Sequence, residues 1–224
     1  MARQVSLYKI SEVLETARIL DSSVLEAYNE SIKSYNSKIA RVSLGEFGRL
    51  DGELTGSSPF MLIQLANSNI LQKGERLATI KDLKTAILFD NNFLRGNYAD
   101  FGLALLTAED SYDYNNLLAK KLTEQLKNRG INIDNGKLID FNSLELKEDS
   151  NSEYGLILNL TERASKDNIL DLAQFKLNYA RNEGLAGASF SWGRSYNSNI
   201  KNLANSISIG RVVVITPEGT PKKL

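Results

Sequence analysis

Apolar residues recur at Leu25, Tyr28, Ile32, Tyr35, Ile39 and Val42, in alternating steps of three and four that keep one side of a helix apolar. Ser23 and Glu26 form a capping-box pair just ahead of this seam, which predicts a helix start there. Upstream, Leu7, Ile10, Leu14 and Ala17 keep a similar rhythm that breaks at Asp21-Ser22-Ser23. Either two helices meet at the break or one runs through it with a stutter. Residues 1–44 are therefore expected to be an N-terminal helical region. Its seam residues Leu25, Tyr28, Ile32, Tyr35 and Ile39 are a candidate interface for a second copy or another protein.

Gly45, Gly48, Gly52 and Gly56 end that pattern, and Ser58-Pro59 starts a new helix with a cap residue and proline at the first position. Phe60, Met61, Leu62, Ile63 and Leu65 leave this helix little polar face, so it is expected to be buried. Thr79 and Asp82 cap another short helix carrying Ile80, Leu83 and Ile87. The Gly-flanked run Tyr98 to Leu106 is predicted as a buried strand. A helix from about Asp113 to Asn128 aligns Tyr114, Leu118, Leu122 and Leu126, and Gly130 ends it. Asp134-Asn135-Gly136 between Ile131-Asn132-Ile133 and Lys137-Leu138-Ile139 predicts a hairpin, with Leu144 and Leu146 extending its ladder.

Tyr154 to Leu160 reads as a further strand after the solvated stretch Lys147 to Glu153. From Lys166 to Arg181 two apolar stripes, through Leu170, Ala173 and Leu177 and through Leu172, Phe175 and Tyr179, predict a centrally packed helix. A Gly, Ser and aromatic stretch follows from Gly184 to Tyr196, then a short helix near Ile200 to Ala204. Gly210 to Thr216 is predicted as a buried strand stopped by Pro217. Helices first and mixed elements afterwards point to an α+β fold with a predominantly antiparallel sheet packed with helices. The expected division is 1–44 helical region, 45–216 α+β core and 217–224 flexible tail.

Composition narrows the chemistry. The 224 residues include no histidine and no cysteine, which excludes disulfides, thiolate nucleophiles, imidazole bases and Cys-ligated metals. Lysine plus arginine equals aspartate plus glutamate at 27 each, so no global field draws the chain to nucleic acid. A 42% hydrophobic and 24% charged composition is that of a soluble globular protein. The first residues carry no apolar signal region and no run is long enough to span a bilayer, which gives the expectation of a cytoplasmic protein away from membranes.

No phosphate-binding glycine loop occurs, and Ser198-x-x-Lys201 lacks the companion motifs of a Ser–Lys enzyme. Asp110, Asp113 and Asp134 miss the spacing of a calcium loop. No catalytic residues, metal or cofactor are therefore assigned. Two segments do crowd chemically useful groups around a glycine. One holds Arg95, Tyr98 and Asp100; the other holds Trp192, Arg194 and Tyr196, a mixture suited to stacking and anion recognition. The leading expectation is a non-catalytic binding or assembly module using the N-terminal region. The alternative is a small-ligand-binding protein or enzyme built on carboxylate, Arg and Tyr groups, which requires those two segments to converge on one concave pocket.

Overall fold

The computed structural model describes residues 4–7, 15–106, 113–175, 177–179, 184–191, 196–199 and 202–217. The chain opens with β1 (Gln4–Leu7), β2 (Glu15–Ile19), α1 (Leu25–Ile32), α2 (Lys38–Leu44), β3 (Gly48–Leu50) and β4 (Glu53–Thr55). It continues through α3 (Pro59–Asn67), β5 (Arg76–Leu77), α4 (Ile80–Phe89), β6 (Tyr98–Leu105), α5 (Asp113–Asn128) and β7 (Lys137–Asp140). The remainder is strand: β8 (Leu144–Glu148), β9 (Leu156–Leu160), β10 (Ile169–Asp171), β11 (Leu177–Tyr179), β12 (Leu185–Ser191), β13 (Tyr196–Asn199) and β14 (Val213–Pro217). This is an α+β fold. A six-stranded sheet in the order β10-β7-β6-β12-β13-β11 is antiparallel except between β11 and β13. A four-stranded sheet, β1-β2-β14-β5, is antiparallel throughout, and β3-β4 and β8-β9 are separate hairpins. Among the described residues no helix is long and apolar enough to cross a membrane.

At three local caps the elements form as their sequence predicts. Ser58 Oγ accepts the Met61 amide and Pro59 opens α3, whose Phe60 to Ile63 are all at most 1% exposed. Thr79 and Asp82 make both arms of a capping box on α4. At the end of α5, Gly130 adopts φ 69°, and the Gly130 and Ile131 amides bond back to Lys127 and Leu126 at 2.9 Å, a Schellman closure.

The N-terminal helical region is corrected. Residues 4–7 and 15–19 are strands, because β2 pairs with β14 from the far end of the chain. The seam itself breaks between Ile32 and Lys38, where Ser37 Oγ accepts the Ala40 amide and starts α2 as a new helix. Asp21 rather than Ser23 supplies the cap, to a short 3-10 turn that leads into α1. Tyr28 is fully buried in the protein's own core, donating to the Leu44 carbonyl at 2.9 Å and meeting Phe47 edge-on at 4.5 Å. Leu25, Ile32 and Tyr35 are partly buried against the same core, while Ile39 stands 54% exposed.

Long-range pairing overrides local pattern elsewhere too. The helix predicted over Lys166 to Arg181 is replaced by β10, a 3-10 turn at Leu172–Gln174 and β11. Ile169 and Leu170 pair with Ile139 and Leu138, and Lys137 bonds Asp171 across the ladder. The hairpin predicted at Asn135-Gly136 does not form, since β7 pairs with β6 and β10 instead of with residues 131–133. Leu144 and Leu146 belong to the β8-β9 hairpin. The short helix expected near 200–204 is, over its described part, a turn closed by Asn205 N to Asn202 O at 3.0 Å. The strand from Gly210 begins at Val213 and includes Pro217; residues 218–224 lie outside the described residues.

Two apolar cores lie on opposite faces of β6. Leu103 and Leu105 join α3, α5 and the β8-β9 hairpin, whereas Ala99, Phe101 and Ala104 join α4 and β14. The change of parity comes from the pairing with β12. Ala188 is opposite Gly102 but Ser189 is opposite Asp100, so Phe101 is an extra residue and β6 carries a bulge. This bulge sends Tyr98 and Asp100 to the same side as Leu103 and Leu105.

Tyr28 and Ile39, equivalent in the apolar seam, are expected to respond differently to truncation. Tyr28→Ala should cost about 3–5 kcal/mol of unfolding free energy, as buried aromatic truncations do, and Ile39→Ala less than about 0.5 kcal/mol. Urea unfolding measures both; equal costs that depend on protein concentration would restore the intermolecular seam.

Candidate functional site

A cavity of about 550 Å³ opens where β6, β12 and β13 meet the N-terminus of α3. Its floor follows from strand alternation. Tyr98 and Asp100 of β6 and Gly187, Ser189 and Ser191 of β12 point into it, while Ala99, Ala188 and Phe190 are buried in the core behind. Asn197 of β13 extends the floor and Pro59 of α3 forms one wall. A Cβ on residue 187 would lie 3.1 Å from Pro59 Cγ, so glycine there lets the helix close on the sheet.

The opposite wall is residues 202–209, contributing Asn202, Leu203, Asn205, Ile207 and Ile209. Hydrogen bonds hold this strap in place. The Leu203 amide donates to Tyr154 Oη at 3.1 Å, and Tyr154 Oη donates to Asn115 Oδ1 at 2.8 Å, tying the strap to α5. The Ser57 amide donates to Ser206 Oγ at 2.8 Å, and Tyr98 N reaches the Ile209 carbonyl at 3.3 Å. Ile207 and Ile209 are 55% and 49% exposed, an apolar edge on a polar interior.

Asp100 is the electrostatic centre of the cavity. Ser57, fully buried, donates its hydroxyl to Asp100 Oδ2 at 2.5 Å. Burial pushes the carboxyl up to about 6, against the lowering effect of the Ser57 hydroxyl. The Tyr98 phenol, which donates to the Ser57 carbonyl at 3.3 Å, is raised first by burial and then by the Asp100 charge.

Of the residues singled out in the sequence, Tyr98 and Asp100 both line the cavity. Arg95 does not: it is exposed, and its carbonyl accepts the Asn97 side-chain amide at 2.7 Å. Tyr196 turns to the opposite face of the sheet, its ring tilted against Phe190 at 4.8 Å and edge-on to Phe101 at 6.5 Å. Trp192 and Arg194 lie outside the described residues. Ser191 and Asn197, which flank them, both line the cavity. Sequence reasoning missed Ser57, Ser189, Ser191, Asn197, Asn202 and Asn205. The alternation of Gly187, Ser189 and Ser191 with Ala188 and Phe190, and the asparagine cluster after residue 196, were the available signals.

A second cavity of about 120 Å³ is lined in part by Thr79, Asp140 and Asp167. Asp140 is also raised to about 6 by burial, but its Oδ1 accepts two hydrogen bonds from Asn142, at 2.8 and 2.7 Å, and serves the turn. Among the described residues no group of three acidic side chains could hold a metal ion. The Ser57–Asp100 pair cannot present a nucleophile, since Ser57 has no exposed surface. Among the described residues the arrangement offers hydrogen bonds and one negative charge. No known protein family, characterised protein or solved structure matches this chain.

Because folding raises the Asp100 pKa above its unfolded value of about 3.9, the folded state holds this proton more tightly. The resulting stabilisation is complete below about pH 4 and is lost as pH rises through about 6. Asp100→Asn, which keeps an acceptor for Ser57, should exceed the parent by about 2 kcal/mol near about pH 7.5 and match it near about pH 4. Chemical unfolding of both proteins across that range measures the gap; a gap independent of pH would show that Asp100 is solvated like a surface carboxylate.

Proposed function

We propose that this protein binds a small polar molecule in the cavity between the six-stranded sheet and the 202–209 strap, as a binding module without catalytic machinery of its own. The observation that carries the reading is the cavity itself, about 550 Å³, with Tyr98, Asp100, Ser189 and Ser191 presented from adjacent strands. That volume lies within the roughly 300–1,000 Å³ of small-molecule sites. Asparagine side chains on the floor and on the strap supply both donors and acceptors, a lining for hydroxyl, amide or amine groups. The exposed Ile207 and Ile209 offer an apolar surface at the same site.

The assembly reading has lost the feature that motivated it. Tyr28 is occupied inside the chain, and the seam residues belong to two helices with a turn between them. Ile39 and Val42 remain exposed on α2.

Thermal shift against a set of sugars, amino acids, nucleosides and small amines tests the proposal. At least one class should raise the melting temperature of the parent protein. The cavity-filling variant Ser189→Phe should keep its fold by circular dichroism and lose that response. A response that survives in Ser189→Phe would place binding elsewhere, and no response from any class would count against the cavity.

A further inference from the structure

Among the described residues the charge inside the cavity is one-sided. Among the described lining residues Asp100 is the only carboxyl and there is no lysine or arginine; the remainder are Asn, Ser, Gly, Pro, Leu, Ile and the Tyr98 phenol. One carboxylate oxygen, Oδ2, is taken by the Ser57 hydroxyl. Among the described residues no hydrogen bond reaches Oδ1, and Asp100 lines the cavity, so Oδ1 is the acceptor that a ligand meets. The neighbouring phenol does not satisfy it, because Tyr98 Oη donates to the Ser57 carbonyl.

A carboxylate withdrawn from water with no cation beside it is unfavourable unless a partner supplies the missing charge. A cationic group entering the cavity would relieve that penalty, whereas a carboxylate or phosphate would meet like charge in a partly desolvated site. Building on the cavity-binding reading, we infer that the ligand carries a protonated amine, received by Asp100 Oδ1, while the Asn and Ser side chains hold its neutral polar groups.

The surroundings of Asp100 make this recognition pH-dependent. β6 places Tyr98 beside it, β12 the paired Ser189, the loop before α3 Ser57, and the strap Asn202 and Asn205. Of these only Tyr98 titrates, and it is raised away from neutrality. Asp100, held up at about 6 by burial, is thus mainly ionised at neutral pH and mainly neutral at about pH 5.

Saturation-transfer NMR on the full chain tests the inference with a fragment set of protonated primary amines, neutral polyols and amides, and carboxylates. Amines should dominate binding to the parent protein. Asp100→Asn should weaken them at least about tenfold, the loss expected when a charged hydrogen-bond partner is removed. Lowering the pH from about 7.5 to about 5 should weaken amine binding to the parent by about tenfold, a measurement that does not depend on any variant folding. Neutral fragments binding as well as amines, or amine binding unchanged by both Asp100→Asn and pH, would overturn the inference. If those signals still vanish in Ser189→Phe, the cavity remains a binding site and only its cation preference falls. No fragment binding that Ser189→Phe abolishes would overturn the inference and the cavity reading together.

Discussion

The antiparallel pairing of β6 with β12, and the one extra residue that β6 carries in it, sets both cores and the cavity. Without the bulge, strict alternation back from Leu105 and Leu103 would place Phe101 and Ala99 on the α3 side. Tyr98 and Asp100 would then face the second core among Ile19, Phe93 and Phe190, where a carboxylate has no partner. With the bulge at Phe101, the apolar residues of the strand are buried on both faces and its two polar side chains emerge together. Ser189 stands opposite Asp100 and Ser191 opposite Tyr98, so the same register assembles the floor of the site. The cavity follows from solving a packing problem on a strand buried from both sides.

How much of this was legible in the sequence depends on how local the responsible interaction is. Ser58-Pro59, Thr79 with Asp82, and Gly130 act within one helical turn, and the helices they delimit form where predicted. Leu170, Ala173 and Leu177 also satisfy a helical period, yet their segment is drawn into strands by β7 and β13, partners 30 or so residues before it and 20 or so after it. The seam from Leu25 to Val42 fails for a different reason. Its spacing is preserved, but Ser37 restarts the helix and Tyr28 packs inward. A periodic apolar stripe reports which side chains are to be covered, not whether its own chain or another covers them.

The candidate site was half visible for similar reasons. Tyr98 and Asp100 stood out because, with Arg95, they crowd chemically useful groups around Gly96. Ser189 and Ser191 did not, because serine and glycine in a mixed stretch resemble a loop until the stretch is known to pair with β6. The strap at 202–209 carried still less signal. Its position is fixed by polar contacts from distant residues, Tyr154 to Leu203 and Ser57 to Ser206, separated by 49 and 149 positions. No window along the chain contains both halves of those bonds.

The absence of histidine gives burial a particular role here. With no imidazole in the chain, a side chain that changes charge just below neutrality has to be a carboxyl displaced upward by its surroundings. Asp100 and Asp140 are both displaced in this way to about 6. Their fates differ by what their oxygens meet. Asp140 accepts two bonds from Asn142 and lies near the Arg76 guanidinium, so its charge is absorbed by the fold. Asp100 has a single hydroxyl on one oxygen and open cavity before the other. A side chain that would be better solvated on the surface is held where burial raises its pKa, and the cation site inferred above rests on the oxygen that no hydrogen bond reaches among the described residues.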